Sequence, residues 1–234
     1  MLSLSTLGLS LTYHHGNLRN ALLDRAAAVI AEQGIESLSL RALARDLGVS
    51  HAAPSRHFTD KADLLRALAT EGSNKFITYV FAAAEAAGDN PLERYAAMGK
   101  AYIRFSLEYP AYYRAITHPD VAAHADDELK ASEKRRAIII DDAARAAQAA
   151  GWLPDESVDD IVMFSIATVR GISAMLGDPL HSPIHSRQPK IQDYDALIER
   201  MVCLIIDPAA PQKSSTRPTA KKQSGKKDNE GDRT

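Results

Sequence analysis

The feature that most limits the folds open to this chain is the crowding of three short amphipathic stretches into residues 17–60. In the first stretch, 17–33, apolar side chains recur at steps of three and four residues, which predicts a helix with one buried face. Gly34 follows as a left-handed stop. The apolar residues of this helix are Leu18, Leu22, Ala26, Val29 and Ile30.

Two serines mark the starts of the second and third stretches. Ser39 is suited to cap a helix over 40–47, which Gly48 ends, and Ser50 is suited to cap a helix over about 51–58. Pro54 would be the fourth residue of that third helix, where it forfeits only the first intrahelical hydrogen bond. We therefore expect the third helix to form in spite of its proline.

The pattern stays helical beyond residue 60, and no segment predicts a strand. Together with the first three helices it predicts an all-α fold of about nine helices. Residues 177–192 contain three prolines and predict a loop. The later helices are expected from a cap at Thr59 or Asp60 to about residue 88, and over 91–107, 110–117, 127–150, 155–176 and 194–206.

Composition indicates an ordinary soluble protein that is not drawn to nucleic acid by bulk charge. The 234 residues carry a formal net charge of -2 at pH 7, and between residues 12 and 72 seven Arg and Lys balance seven Asp and Glu. Any contact with DNA must therefore be local. The single cysteine, Cys203, excludes an internal disulfide framework and fits a cytoplasmic location.

The two ends of the chain differ from its middle. Residues 1–11 are apolar enough to suggest a signal peptide, but no Lys or Arg precedes Arg19 and no small-residue cleavage site follows, so we expect a disordered leader. Residues 207–234 lack the apolar side chains that could offset the entropy of ordering, which predicts a disordered basic tail. No other segment approaches the ~18 apolar residues of a membrane span, and no membrane partner is expected.

Residues 44–49 have the composition of a turn between two helices that read DNA. Ala44 is small enough to let the helices approach, Gly48 can adopt the positive φ of a sharp turn, and Val49 supplies an apolar contact. Pro54 occupies the position where the second helix places an apolar anchor on the first. Alone the pattern is weak, because any two short helices of an α-protein can share it.

A longer match strengthens this interpretation. Residues 13–68, YHHGNLRNALLDRAAAVIAEQGIESLSLRALARDLGVSHAAPSRHFTDKADLLRAL, closely resemble the N-terminal region of TetR-type transcriptional repressors. The YHHGNLR start and VRGISAML at 169–176 resemble the subgroup with a Trp-His-Gly type C-terminal domain, with Val169 and Arg170 in place of the Trp-His pair. The resemblance implies a homodimer with a three-helix helix-turn-helix domain over 12–60 and a helical ligand-binding and dimerisation domain over 61–206.

The resemblance also assigns candidate contacts to double-stranded DNA. In such proteins the second helix touches the DNA backbone, the third enters a groove, and a lysine at the start of the fourth meets phosphate. Capped helix starts attract phosphate, and short side chains can approach a thymine methyl group. The candidate DNA-binding residues are Ser39, Arg41, Ser50, His51, Ala52, Ala53, Ser55, Arg56, His57 and Lys61.

Ser55 departs from the family pattern, which usually has a tyrosine that reaches a phosphate. We expect its loss to weaken DNA binding by about 1 kcal/mol rather than abolish it. Arg56 and His57 are adjacent cation donors, and the helix phase could turn one of them toward the core. His14 and His15 are either a phosphate-touching arm or plain exposed residues. The lysines of the tail that could assist binding are Lys221, Lys222, Lys226 and Lys227.

The second half of the chain predicts a dimer interface and an effector pocket. Helix 155–176 is apolar around much of its circumference and helix 194–206 carries an apolar stripe; in resembling proteins these two helices form a four-helix bundle with their two-fold mates. A dimer would read a palindromic operator with half-sites about 34–36 Å apart. The candidate small-molecule ligand-binding residues, chosen for aromatic or flexible side chains, are Phe76, Tyr79, Phe105, Tyr109, Tyr112, Tyr113, Met163 and Phe164.

Nothing in the sequence indicates catalysis, a metal site or a cofactor. The eight histidines show no pairing on one helical face with a carboxylate or cysteine to complete a metal shell. Adjacent carboxylates such as Asp141 and Asp142 point in different directions on a helix, which is typical of solvated faces. The alternative to a DNA-binding regulator is a helical ligand-binding or scaffold protein whose helix-turn-helix has lost its DNA contacts.

Overall fold

The structure, a computed structural model, describes residues 18–177 and 193–206. In these residues it has nine α-helices, two short 3-10 turns and no strand, which confirms the all-α prediction. The leader 1–11, His14, His15, residues 178–192 of the expected loop and the tail 207–234 lie outside the described residues. The helices are α1 (Leu18–Gln33), α2 (Leu40–Asp46), α3 (Lys61–Ala86), α4 (Pro91–Glu108), α5 (Pro110–Thr117), α6 (Pro119–Ala123), α7 (Asp127–Ala149), α8 (Val158–Gly177) and α9 (Tyr194–Ile206).

Two features of the second half differ from the sequence prediction. The helix α6 was not predicted, because five residues are too few to show a 3.6-residue period. The helix α8 begins at Val158 rather than at residue 155. The Ser157 hydroxyl accepts a hydrogen bond from the backbone N–H of Asp160 at 3.1 Å, so Ser157 caps this helix.

The helix α3 is the longest element and begins at a reciprocal cap. Asp60 accepts a hydrogen bond from the backbone N–H of Asp63 at 2.8 Å, and Asp63 in turn accepts one from the backbone N–H of Thr59 at 2.9 Å. From there α3 packs against α4, α5 and α7, and its first turns also contact α1. It therefore connects the N-terminal helices to the rest of the fold.

The N-terminal helices share one hydrophobic core with parts of the second half. Leu22, Leu43 and Leu64 are fully buried in this cluster together with Ala115 of α5 and Leu129 of α7. The Arg114 guanidinium of α5 also donates a hydrogen bond to the Ile30 carbonyl at 2.6 Å, near the C-terminal end of α1. Arg114 thus links α5 directly to α1.

An ion-pair network fastens α9 to α4. Arg104 donates to Asp195 at 2.7 Å and to Glu199 at 3.1 Å, and Lys100 also pairs with Glu199. Burial by itself raises the pKa of the Glu199 carboxyl, but the hydrogen bonds from Lys100 and Arg104 outweigh burial and hold the pKa below its ordinary value. The network therefore stabilises the fold at neutral pH.

We predict that Glu199→Gln lowers the free energy of unfolding by about 0.5–1 kcal/mol at pH 7, because the pairs are solvent-screened. A depressed pKa stabilises the fold above the unfolded value of about 4.3, and this contribution disappears as pH falls through the folded pKa. Urea unfolding should therefore separate the variant from the wild type at pH 7 and not at pH 3. Asp155→Asn, which alters an exposed carboxylate with no described ion pair, is the control; equal losses for Glu199→Gln at both pH values would contradict the prediction.

Candidate nucleic-acid interface and effector cavity

The turn after α2 has the geometry expected of a helix-turn-helix. Gly48 adopts φ +66°, and its N–H donates to the Arg45 carbonyl at 3.1 Å while the Val49 N–H donates to the Ala44 carbonyl at 3.0 Å. These two hydrogen bonds form a Schellman motif, which requires the left-handed conformation at Gly48. Ala44 is fully buried, as its proposed role in close helix approach requires.

The predicted helix over 51–58 is wrong. Residues 51–53 form a turn, and only Pro54–Arg56 is helical, as a single 3-10 turn. The physical reason is that Pro54 has no N–H and cannot donate a hydrogen bond to the Ser50 carbonyl. The Ser50 carbonyl instead accepts a hydrogen bond from the Ala53 N–H at 2.9 Å, which is the i to i+3 bond of a 3-10 turn. Pro54 therefore disrupts the third helix more than we expected from its position near the start of that helix.

Two side chains nevertheless hold this segment on α1 and α2. Pro54 is fully buried, which agrees with its expected role as the apolar anchor, and Phe58 is buried in the same core as Leu43. The Arg19 guanidinium lies 5.5 Å from the centroid of the Phe58 ring and covers it from the solvent side. Residues 50–57 thus form an anchored loop with a fixed buried side.

The candidate DNA-binding residues lie on the opposite, solvent side. Eight of the ten are exposed, and Ala53 and Lys61 are half-buried. Neither Arg56 nor His57 turns toward the core, so both side chains can contact a molecule that binds this surface. The exposed eight are Ser39, Arg41, Ser50, His51, Ala52, Ser55, Arg56 and His57.

Ser39 lacks its expected capping bond, and Lys61 has a contact within the chain that bears on its expected phosphate contact. Ser39 occupies the N-cap position of α2, yet its hydroxyl makes no capping hydrogen bond. Lys61 donates to the Glu36 carbonyl at 3.3 Å and lies 3.9 Å from the Glu36 carboxylate, so its charge is partly neutralised within the chain. A phosphate contact by Lys61 would have to compete with Glu36.

The predicted ligand-binding aromatics form a filled cluster rather than an open pocket. The ring centroid of Phe105 lies 5.2 Å from that of Phe76 and from that of Tyr109, and 5.7 Å from that of Tyr79. Burial, followed by a hydrogen bond with Glu108, raises the pKa of Tyr79 to about 12, so its hydroxyl stays protonated at neutral pH. Tyr112 and Tyr113 pack against the edge of the same cluster.

A small apolar cavity lies beside this cluster, between α3, α4, α7, α8 and α9. Its volume is about 60 Å³, and Phe76 is the only one of the eight candidate ligand-binding residues that lines it. The Ser165 hydroxyl in its wall is buried and has no hydrogen-bond partner among the described residues. The lining residues that sequence reasoning missed include Tyr95, Met98, Gly99, Tyr102, Ile140, Ser165, Val169, Val202 and Ile205.

The structure does not bring Met163 and Phe164 to the cavity. They are 70% and 57% exposed on the outer side of α8, whereas Ile166 and Val169 of the same helix line the cavity. The periodicity of α8 could have shown this from the sequence. Residues 161, 165, 169 and 172 recur at steps of three and four and share one helical face, whereas 163 and 164 lie on the other face.

The helix α8 also corrects the expectation about membrane spans. By length and composition it is apolar enough to cross a bilayer. Its inner face, however, packs against α4 and α7, with Ile161, Val169 and Ile172 buried there.

Within residues 18–177 and 193–206 there is no group of three or more side chains able to hold a metal ion.

Comparison with known sequences identifies both halves of the chain. The sequence profile for bacterial regulatory proteins of the TetR family matches residues 22–68, and that for the tetracyclin repressor-like C-terminal domain matches residues 95–203. The chain is 26% identical over 127 residues to an uncharacterized HTH-type transcriptional regulator, YobS, of Bacillus subtilis (strain 168). That match covers 54% of this chain and 59% of YobS, so the chain spans about three fifths of its curated relative.

Solved structures show the same fold. A protein of unknown function from Rhodococcus sp. RHA1 has 30% identity and a TM-score of 0.69, over 85% of this chain and 96% of its own. AibR in complex with isovaleryl coenzyme A and operator DNA has 20% identity and a TM-score of 0.60, over 80% and 97%. The fatty acid degradation regulator FadR from Bacillus halodurans has 16% identity and a TM-score of 0.63, over 83% and 97%. Since the two profiles cover both the helix-turn-helix and the C-terminal helices described above, the chain belongs to the TetR family of DNA-binding transcriptional regulators, which are not enzymes.

Proposed function

We propose that this regulator is a cytoplasmic, ligand-responsive repressor that binds a palindromic operator as a homodimer and is released by a small, largely apolar effector. We assign DNA binding to residues 12–60, and effector binding and dimerisation to residues 61–206. The observation that supports this most directly is the continuity of α3, which begins at Lys61 beside the exposed loop and continues to Phe76 at the cavity. The similar structure of AibR holds both an acyl coenzyme A and operator DNA, which supports an analogous pair of ligands here.

The outer face of α8 supports a homodimer. Six of its exposed positions, 163, 164, 167, 171, 174 and 175, are apolar or small and fall on one side of the helix, with the exposed Arg170 at the edge of that side. Leu204 of α9 is also exposed, at 53%. Because apolar area of this extent on a monomer marks an association surface, we assign α8 and α9 to the contact with a second copy of the chain.

Effector release follows from differential binding. The effector can favour an arrangement of α3 and α7 in which the 50–57 loops of the two copies no longer match the half-site spacing. Operator affinity then falls by the difference between the effector's binding free energies for the two arrangements. The contact of α5 with the end of α1 through Arg114 provides a second connection between the effector domain and the DNA-binding domain.

The test of DNA binding is selection from random duplexes with the purified protein at low salt, which should recover a palindrome. Arg41→Gln should then lower affinity for the selected site and reduce the slope of log affinity against log salt by about 1, because one phosphate contact is lost. Arg145→Gln, which removes an exposed arginine of α7, is the matched control and should change neither quantity. An unchanged salt slope in Arg41→Gln would remove Arg41 from the interface.

The alternative function is a ligand-binding or scaffold protein that no longer reads DNA. The observation that favours it is the 3-10 turn at Pro54–Arg56, which is shorter than the helices that usually enter a major groove. Recovery of no palindromic site in the selection, together with retained binding of an effector, would favour this alternative over a repressor.

A further inference from the structure

The start of α4, the connection of α7 to α8 and the end of α9 meet at the end of the molecule away from the helix-turn-helix. The ring centroid of Tyr95 in α4 lies 5.4 Å from that of Trp152, which follows α7. The Trp152 indole N–H donates a hydrogen bond to the carbonyl of Ile206, the last residue of α9, at 3.2 Å. Phe81 of α3 is twenty residues from Lys61, which is about 30 Å along that helix.

This distal end, which comprises residues 81–94 and 139–160, is strongly acidic. It contains nine Asp and Glu and only two Arg. One of the two, Arg94, is paired with Glu85 within the distal end itself. Because like charges repel one another, a basic partner would be attracted to this end of the molecule.

An apolar groove with an acidic edge lies on the distal end, between α3, α4 and α7. Its volume is about 450 Å³, and the Phe81 side chain in its lining is 53% exposed. Asp89 and Asp142 also line the groove, are exposed, and form no ion pair with another described residue. The other apolar lining residues include Pro91, Met98, Ile139 and Ala143. An exposed apolar patch with a polar rim is typical of an interaction site.

The basic tail of the same chain, residues 207–234, has a composition that complements this groove. Residues 208–211 are Pro-Ala-Ala-Pro, a short apolar stretch that contains two prolines. Between residues 213 and 227 there are six Lys and Arg and no Asp or Glu. Proline-containing segments are known to dock on grooves lined by aromatic side chains, and the lysines that follow match the acidic edge.

The tail also begins next to the groove. Ala143, which lines the groove, and Ile206 pack against the same hydrophobic cluster around Tyr95. An extended chain spans up to about 3.3 Å per residue, so Lys213 can reach any point within about 23 Å of Ile206. Because the tail is tethered at Ile206, its effective concentration at the groove is high and weak contacts are enough to hold it there.

We propose that the tail of each chain docks on the distal end of the same chain, with residues 208–211 over Phe81 in the groove and the lysines from Lys213 onward beside Asp89 and Asp142. Exposed ion pairs are individually weak, so the docking depends on the combination of several charges, the apolar contact and the tether. The lysines that the sequence offered as aids to DNA binding then lie at the end of α3 opposite to Lys61. This inference does not depend on operator binding.

The first test is zero-length coupling of the full-length protein with a carbodiimide, which joins an amine to a carboxylate that is in contact with it. Mass spectrometry should find lysines of the tail joined to Asp89 and Asp142 at low salt. This coupling should be much weaker at about 1 M salt, where the Debye length is about 3 Å. Glu32, an exposed carboxylate of α1, is the internal control and should not be joined to the tail.

The second test is the rate at which trypsin cleaves the folded protein after Lys213 at low salt. Cleavage should be roughly 3- to 10-fold faster in the double variant Asp89→Asn/Asp142→Asn than in the wild type, because the loss of weak ion pairs shifts the tail toward the undocked state. Glu32→Gln should be cleaved at the wild-type rate. All three substitutions alter exposed side chains, so the fold should be retained.

The occupant is identified by coupling a mixture of 15N-labelled and unlabelled chains, after native mass spectrometry has shown that subunits have exchanged. Products that join a labelled to an unlabelled peptide would assign the groove to the tail of a second copy and overturn the proposal. Equal coupling of the tail to Glu32 and Asp142, no coupling to either groove carboxylate, or an unchanged cleavage rate in the double variant would also overturn it. Coupling within single chains, lost at high salt, supports it.

Discussion

Phe164→Glu is expected to convert the protein to a monomer at micromolar concentration and to lower operator affinity by at least about 100-fold. Phe164 is 57% exposed in the single chain and lies within the apolar outer face of α8, so the proposed dimer would bury it. A carboxylate there would have to be desolvated without a partner in the dimer. A monomer reads one half-site only and loses the second set of contacts. Sedimentation velocity and operator titration measure the two effects.

Phe81→Glu is the matched control for this substitution. Phe81 is 53% exposed on α3, so the same change of residue is made at nearly the same exposure but outside α8 and α9. It should leave both the sedimentation coefficient and the operator affinity unchanged. A dimeric Phe164→Glu variant, or an equal loss of dimer in Phe81→Glu, would reject α8 as the interface.

Phe105→Ala is expected to lower the free energy of unfolding by about 3–5 kcal/mol. Phe105 is fully buried at the centre of the aromatic cluster, where its ring packs against those of Phe76, Tyr79 and Tyr109. Its removal leaves a cavity that the surrounding rings cannot close without losing their edge-to-face contacts. Urea unfolding followed by far-UV circular dichroism gives the change.

Phe81→Ala removes the same atoms from an exposed position and should cost less than about 1 kcal/mol. The comparison also tests whether the aromatic cluster is core or ligand pocket. If Phe105→Ala were as mild as Phe81→Ala, the cluster would have space to rearrange, and the tyrosines around it would again be candidates for effector contact.

Local patterns predicted the helices well where they were long or had a clear stop. The helix α5 begins and ends as expected, because Pro110 marks its start. The helix α9 also has its expected bounds, because its apolar stripe is unbroken. Gly48 was expected to make a sharp turn and does so at φ +66°. The segment after it was mispredicted, since the consequence of Pro54 depends on which carbonyl the preceding N–H groups reach.

The residues around the cavity that we propose as the effector site were predicted less well. Counting aromatic residues found the core cluster around Phe105, yet the cavity is lined largely by aliphatic side chains and by Gly99. The lining residues belong to five helices, so only the packing of these helices shows that they face one space.

The sequence by itself determined the helical class, the turn at Gly48 and the family, because these depend on periodicity and on short motifs within one segment. Tertiary structure decided which face of α8 is buried and where a void remains between the helices. Each of these depends on the packing of helices distant in sequence, and side-chain volumes along one helix do not fix the space left between five of them.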